Sequence, residues 1–342
     1  MRQLFILLTV AVAAVAPALP QKGSSPFAGR WDMTVTRGNL TFPSWMEVVD
    51  KAEGPEVRVQ QREGNVRPVA AAKFDGSRLT LTVSAPTPAR PAEGKRPASP
   101  ARPELVWELT ASGGKITGTQ KQGDSVYQLA GVRAPALKRT APKAWTDPEP
   151  LFNGKDLAGW QPIDNTSNEP RQSFWAARNG ELVNEARGAN IRTTRTFDDF
   201  KLHVEYLCPP EENSGVYLRG RYEAQVAPPP TARPAAAARP GATRPGALYS
   251  NPYGGVGCIY GMLGPATPPP FRPEWQTYDF TLIGRWVTVI FNGVTTVDNK
   301  EIPGITGGAL DSREGEPGPI HFQGDHHGGI RYRNITISVP KR

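Results

Sequence analysis

The sequence predicts an all-β protein of two successive domains. Three observations carry this. Short stretches of alternating apolar and polar residues recur along the 342-residue chain. Turn chemistry separates them, and no stretch keeps the 3.6-residue period of a long helix. The first domain, residues 26–137, reads as a small antiparallel β-barrel or sandwich. The second, residues 151–340, reads as a two-sheet jelly roll.

The chain opens with MRQLFILLTVAVAAVAPA. Arg2 gives a positive start, Leu4 to Val15 an apolar stretch, and Ala16-Pro17-Ala18 a small-residue cleavage site. Residues 1–18 are therefore expected to be a signal peptide that is removed, placing the protein outside the cytoplasm, periplasmic or extracellular. No apolar run is long enough to span a bilayer comfortably, so no integral membrane segment is expected after removal.

In the first domain, Trp31–Val35, Glu56–Val59, Arg78–Val83, Leu105–Leu109 and Ser125–Leu129 have strand character. Phe74-Asp75-Gly76 and Ser112-Gly113-Gly114 supply the turns. The opening Gly29-Arg30-Trp31 resembles the G-x-W start of lipocalin-like barrels. An accessory or spacing role is the expectation for this domain. Residues 138–150 read as a linker, because Pro142, Pro148 and Pro150 disfavour helix and central strand. In the second domain, strands are expected over Gly180–Asn184, Phe200–Leu207, Gly215–Val226, Thr277–Ile283, Trp286–Phe291 and Ile330–Val339. Asn179-Gly180 and Asn292-Gly293 serve as hairpin dipeptides.

The net charge is +8, with 36 prolines. Both excesses are local. Residues 86–103 and the low-complexity insertion 227–247 each carry a net +3 and six prolines. These tracts read as extended, solvated insertions rather than as a basic face, so nucleic acid is not an expected partner. The near-neutral remainder suits an uncharged ligand. Cys208 and Cys258, the only cysteines, could pair across about 50 residues or remain buried thiols. Oligomeric state is left open.

The second domain resembles the 3-keto-disaccharide hydrolase family, formerly domain of unknown function 1080. The resemblance runs in order over about residues 150–340. It rests on Leu151–Trp160 (LFNGKDLAGW), Asn213–Val226 (NSGVYLRGRYEAQV), Ile259-Tyr260-Gly261, Trp275–Asp279 (WQTYD), Phe291-Asn292-Gly293, Gly318-Pro319-Ile320 and Arg333-Asn334-Ile335. It implies a concanavalin-A-like jelly-roll sandwich acting on 3-keto sugars, with a carbohydrate substrate as partner. Two departures stand out: the insertion after Val226, and Gln323-Gly324-Asp325-His326-His327-Gly328, whose extra histidine leaves the functional position shared between His326 and His327.

On a regular strand, Tyr217, Arg219, Arg221, Glu223 and Gln225 would share one face, a row of long polar groups that could bind hydroxyls and a carbonyl. Three of the four histidines, His321, His326 and His327, fall within seven residues beside Asp325. Imidazole suits a base near neutral pH. The expected catalytic residues are His327, His326, Glu223 and Arg219. Tyr217, Arg221, Gln225, Trp275, Tyr278 and Gln323 are expected to bind substrate. His321 and Asp325 are candidate ligands for a divalent metal ion, the only cofactor considered. His203 reads as a surface or satisfied histidine. The E-x-D-x-E run common in sandwich glycosidases is missing. The ketone of a 3-keto sugar removes the need for such a run, since it acidifies C2–H and permits elimination by one base, with a cation holding the oxyanion. Two other readings stand beside this one: a carbohydrate-binding module without turnover, and an extracellular scaffold. The His/Asp cluster favours the enzyme.

Overall fold

The computed structural model describes residues 25–51, 53–92, 98–163, 171–210, 212–228, 255–272 and 274–341. The leader expected at residues 1–18 and most of the 227–247 insertion lie outside the described residues. The described chain is all-β, in three antiparallel sheets.

The N-terminal sheet comprises β1 (Gly29–Arg37), β2 (Leu40–Val49), β3 (Glu56–Gln60), β4 (Arg67–Pro68), β5 (Ala71–Asp75), β6 (Arg78–Ser84), β7 (Leu105–Ser112), β8 (Lys115–Gln122) and β9 (Ser125–Arg133). Neighbouring strands pair antiparallel in the order β4-β3-β2-β1-β9-β8-β7-β6-β5. The two apparent edges are halves of one segment. The Val69 amide donates to Val57 O (3.0 Å) and the Ala70 amide to Thr82 O (2.8 Å). The segment thus passes from β3 to β6 and closes the sheet into a barrel, which removes the exposed edges. Alternate residues point inward and fill it: Trp31, Met33, Val35, Leu79, Leu81 and Trp107 are buried in one apolar cluster.

The sequence did not show β2. Pro43 interrupts it, and a proline normally argues against a central strand. Here the β2–β3 register begins only at Trp45↔Gln60, so Pro43 lies beyond the end of β3 and pairs only with Thr34 of β1. The 86–103 tract forms no featureless loop. Its described residues extend the β6–β7 connection as a ribbon, with Thr87↔Arg102 and Arg90↔Ser99 bridges.

The remaining strands are β10 (Glu149–Pro150), β11 (Trp160–Ile163), β12 (Trp175–Arg178), β13 (Glu181–Asn184), β14 (Asn190–Thr193), β15 (Phe200–Leu207), β16 (Ser214–Leu218), β17 (Tyr222–Val226), β18 (Gln276–Ile283), β19 (Trp286–Phe291), β20 (Val294–Glu301), β21 (His321–Phe322) and β22 (Ile330–Ser338). One sheet runs β12-β13-β22-β15-β18-β19-β20, with β10 added beside β22. The other runs β11-β14-β21-β16-β17. Their inner faces share one core: Leu202, Val204, Phe280 and Val289 from the first, Ile191, Val216, Ala224 and Phe322 from the second. This is the two-layer β-sandwich expected of residues 151–340. The proline-rich 138–150 segment adds to it through β10 and a Trp145↔Pro340 bridge. Cys208 and Cys258 are buried thiols, not a disulfide.

The barrel docks on the sandwich. Trp45 leaves the barrel interior and joins the sandwich core. Arg30 pairs with Glu301 (2.9 Å), which also meets Arg285 (3.3 Å); Arg285 in turn holds Glu314 (2.9 Å). Asp32 of β1 lies against Glu314. Burial raises the Asp32 carboxyl well above its ordinary range. The Glu314 charge and hydrogen bond raise it further, and Arg285 and Arg221 offset part of the shift. A carboxyl protonated in the fold but ionised when unfolded loses stability as pH rises past the unfolded value. The protein should therefore lose thermal stability as pH climbs from about 4 into the alkaline range. Asp32→Asn should flatten that decline in melting curves taken at successive pH values, and an unchanged slope would count against a protonated Asp32.

Candidate active site

Residues 215–226 do not form one strand. β16 and β17 are joined by a three-residue turn in which Arg219 (φ 52°) and Gly220 (φ 66°) take left-handed backbone. Glycine adopts that conformation without strain. The register is Tyr217↔Glu223 and Gly215↔Gln225. Because the turn has an odd number of residues, odd-numbered positions stay on one face across the hairpin. Val216, Leu218, Tyr222, Ala224 and Val226 face the core.

On the opposite face, Tyr217, Glu223 and Gln225 line a cavity of about 220 Å³. Asn190 of β14 joins them, with Gln323, Asp325 and His326 from the loop after β21. Asn213, Tyr260 and Gly307-Gly308 complete the sandwich's share of the wall. Glu63 and Gly64 reach the cavity from the barrel.

Glu223 is the buried carboxyl of this group, 5% exposed. Its backbone amide donates to Thr306 Oγ1 (2.9 Å), and its carbonyl accepts from the Tyr260 amide (2.8 Å). A side chain at Gly215 would meet Glu223 Oε1 at 2.7 Å, so this glycine leaves the carboxyl its space. Burial pushes the Glu223 carboxyl up to about 8. The Tyr217 hydroxyl pulls it down in part, and the Asp325 charge pushes it up. At neutral pH it is mostly protonated, as a proton donor must be. Tyr217 donates to Gly307 O (3.1 Å).

His326 stands on the cavity rim, its Nε2 3.9 Å from Asp325 Oδ1. His327 turns outward with its side chain 80% exposed. The shared position left open by the sequence thus has His326 in the cavity. Glu212 sets this loop. Its buried Oε1 accepts from the Asn213 amide (2.9 Å) and the His327 amide (3.1 Å), tying both segments together. Gln323 Oε1 is buried with no hydrogen-bond partner among the described residues. In a polar cavity this leaves one acceptor for a ligand hydroxyl.

Other expected site residues lie elsewhere. Arg219 and Arg221 sit in the hairpin turn and are spent on structure. Arg219 donates to Gly284 O (2.9 Å) and Tyr222 Oη (3.0 Å) and meets Asp198 (3.3 Å). Arg221 holds Asp311 (2.7 Å) and Glu316 O (2.8 Å). The expectation of one continuous strand put them in the polar row, and the turn takes them out of it. Tyr278 is fully buried in the core, accepting from the Gly257 amide (2.7 Å) and donating to Gln225 O (2.8 Å). Trp275 lies outside the cavity under Arg333, whose guanidinium carbon is 3.9 Å from the ring centroid. His321 is sealed behind Tyr217, rings stacked at 4.4 Å. Burial, with the nearby Arg192 charge, lowers its imidazole to about 3 and keeps it neutral. His321 and Asp325 therefore do not come together as metal ligands. Among the described residues no group of three or more His, Cys, Asp or Glu side chains converges on a metal position. His203 is satisfied by Asp279 (2.7 Å).

Asn190, Glu63 and Gly64 gave no signal in the sequence, because only the tertiary fold brings them to the cavity. Asn213 and Tyr260 lie in motifs that carried the family resemblance and could have been read from them.

The sandwich thus carries on its outer face a small cavity of amides, carboxyls and one imidazole. Residues 147–338 match the family described as the 3-keto-alpha-glucoside-1,2-lyase-like domain, and the chain belongs to that family. No curated protein matches the chain. Two solved structures from Parabacteroides distasonis, each named a putative glycosyl hydrolase, are similar to it. One is 25% identical over 59% of this chain and 93% of its own, with a TM-score of 0.42; the other is 19% identical over 56% and 92%, with a TM-score of 0.43. A Trypanosoma rangeli sialidase aligns at 10% identity over 91% of this chain and 64% of its own, with a TM-score of 0.24.

A carboxyl raised to about 8 in the fold loses stability between the ordinary glutamate range and that value as pH rises. Glu223→Gln should remove this loss. Its melting temperature should exceed the wild type's increasingly from about pH 5 to pH 8, and equal pH profiles would contradict a buried, protonated Glu223.

Proposed function

We propose that the protein is an exported enzyme that cleaves 3-keto-glycosides by elimination and then addition of water. Family membership supports a carbohydrate-active role. The observation that carries the finer reading is the buried Glu223 carboxyl, protonated at neutral pH, facing a polar cavity that also holds the His326 imidazole.

The ketone at C3 acidifies the C2–H bond. His326, beside Asp325, takes that proton. The electron pair passes through the enolate into a C1=C2 double bond, and the bond from C1 to the glycosidic oxygen breaks. Glu223 gives its proton to that oxygen, so the second sugar leaves as a neutral alcohol. Water then adds across C1=C2. Its hydroxide goes to C1, its proton restores Glu223, and His326 returns a proton to C2. One water is consumed and both side chains recover their starting state. Asn190, Asn213, Gln225 and Gln323 are suited to hold the ring hydroxyls and the C3 oxygen, because amides can both donate and accept. They do so without a formal charge, which suits a neutral sugar.

Incubated with a 3-keto-disaccharide in D₂O, the protein should release 3-keto-glucose carrying deuterium at C2. The parent disaccharide, lacking the acidified C2–H, should remain intact. His326→Ala should slow turnover about 10²–10⁴-fold, the usual loss for a general base. Unlabelled product together with equal rates on substrate protonated or deuterated at C2 would point to direct hydrolysis. Binding with no product would make the domain a carbohydrate-binding module.

A further inference from the structure

The family match begins at residue 147, yet the cavity wall does not end at the sandwich. Glu63 and Gly64 of the barrel, in the β3–β4 connection, line it directly. We propose that this barrel loop is the subsite for the leaving sugar, with Glu63 accepting hydrogen bonds from that sugar's hydroxyls. The proposal rests on the 3-keto-glycoside reading above.

The loop is held at the cavity by backbone contacts. The Gly308 amide donates to Arg62 O at 3.0 Å. A side chain on Gly307 would strike Gly64 O at 2.5 Å, and one on Gly261 would press Asn65 Cα and Val66 N at 3.2 Å. Glycines at 307 and 261 let the barrel's main chain lie flat on the sandwich. Val66 packs against the sandwich core. Inside the loop, the Gln60 side-chain Nε2 donates to Gln61 O (2.8 Å) and Gly64 O (2.9 Å), fixing its curvature. This bracing fits a preformed wall.

Size and exposure then divide the substrate. About 220 Å³ is below the roughly 300–1,000 Å³ of pockets that enclose drug-sized ligands. One sugar ring fills such a space, and the second must lie toward the mouth. Glu223, the proposed donor to the glycosidic oxygen, is buried, whereas the Glu63 side chain is 77% exposed. An exposed carboxylate accepts hydrogen bonds from hydroxyls without the cost of desolvating it in a closed pocket. The keto ring is therefore assigned to the interior and the leaving sugar to the barrel loop.

The test compares a 3-keto-disaccharide with the corresponding methyl 3-keto-glucoside, using full-length wild type, Glu63→Ala and Glu63→Gln. Glu63→Ala should lower kcat/KM at least fivefold more on the disaccharide than on the methyl glycoside, mainly through KM, and Glu63→Gln, which keeps one acceptor oxygen, should lose less but on the disaccharide alone. Equal losses on both substrates, or none on either, would overturn the subsite. If wild type turns over neither substrate, the functional reading fails. Disaccharide binding by NMR titration then decides the loop separately: weaker binding by Glu63→Ala supports the subsite, while unchanged affinity, or no binding to wild type, overturns it.

Discussion

The tight turn between β16 and β17 is the constraint on which the site depends. It sets Tyr217 across from Glu223 and Gly215 across from Gln225, so the cavity floor follows from one hairpin register. The same turn sends Arg219 and Arg221 away from the cavity. There they bind Asp198, Asp311 and the loop carbonyls of Gly284 and Glu316. Two fully buried guanidiniums are costly unless paired, and their pairing fixes the loops around the hairpin. The arginines hold the scaffold, while amides and the Glu223 carboxyl face the cavity beside Asp325 and His326.

Burial then supplies the chemistry. Glu223 is raised to about 8 chiefly because it is taken out of water, with the Asp325 charge adding to the rise. Gly215 makes room for it, and Tyr217 covers His321 so that this imidazole stays neutral and out of reach. Of the three clustered histidines, His321 is sealed inside, His326 reaches the cavity and His327 faces solvent. Glu212 makes this arrangement by gripping the Asn213 and His327 amides with a single oxygen.

Much of this was legible in the sequence. Period-two alternation gave the fold class, and residue parity put Tyr217, Glu223 and Gln225 on one face. Parity survived the unexpected turn only because three residues, an odd number, form it. The same parity failed for Arg219 and Arg221, which sit inside the turn. Beyond β21, which ends at Phe322, Gln323 and Asp325 reach the cavity from a loop, where strand parity gives no guide. Trp275 and Tyr278 illustrate the ordinary ambiguity of aromatics: one covers an outer face beneath an arginine, the other fills the core. The barrel's share of the cavity was not legible, since Glu63 and Asn190 line one cavity from 127 positions apart in sequence with no local pattern to announce it. Gly261 was visible only as part of a family motif and Gly307 not at all; that both admit the barrel loop follows from the fold.

The central claim is that a neutral carboxyl waits in the cavity at physiological pH. Carboxyl-carbon NMR on glutamate-labelled protein tests it most directly, with Glu223→Gln identifying the resonance by its disappearance. The account predicts a single buried glutamate titrating near pH 8, shifted further by a bound sugar. A Glu223 signal that titrates at the ordinary glutamate value, already ionised at pH 6, would contradict it.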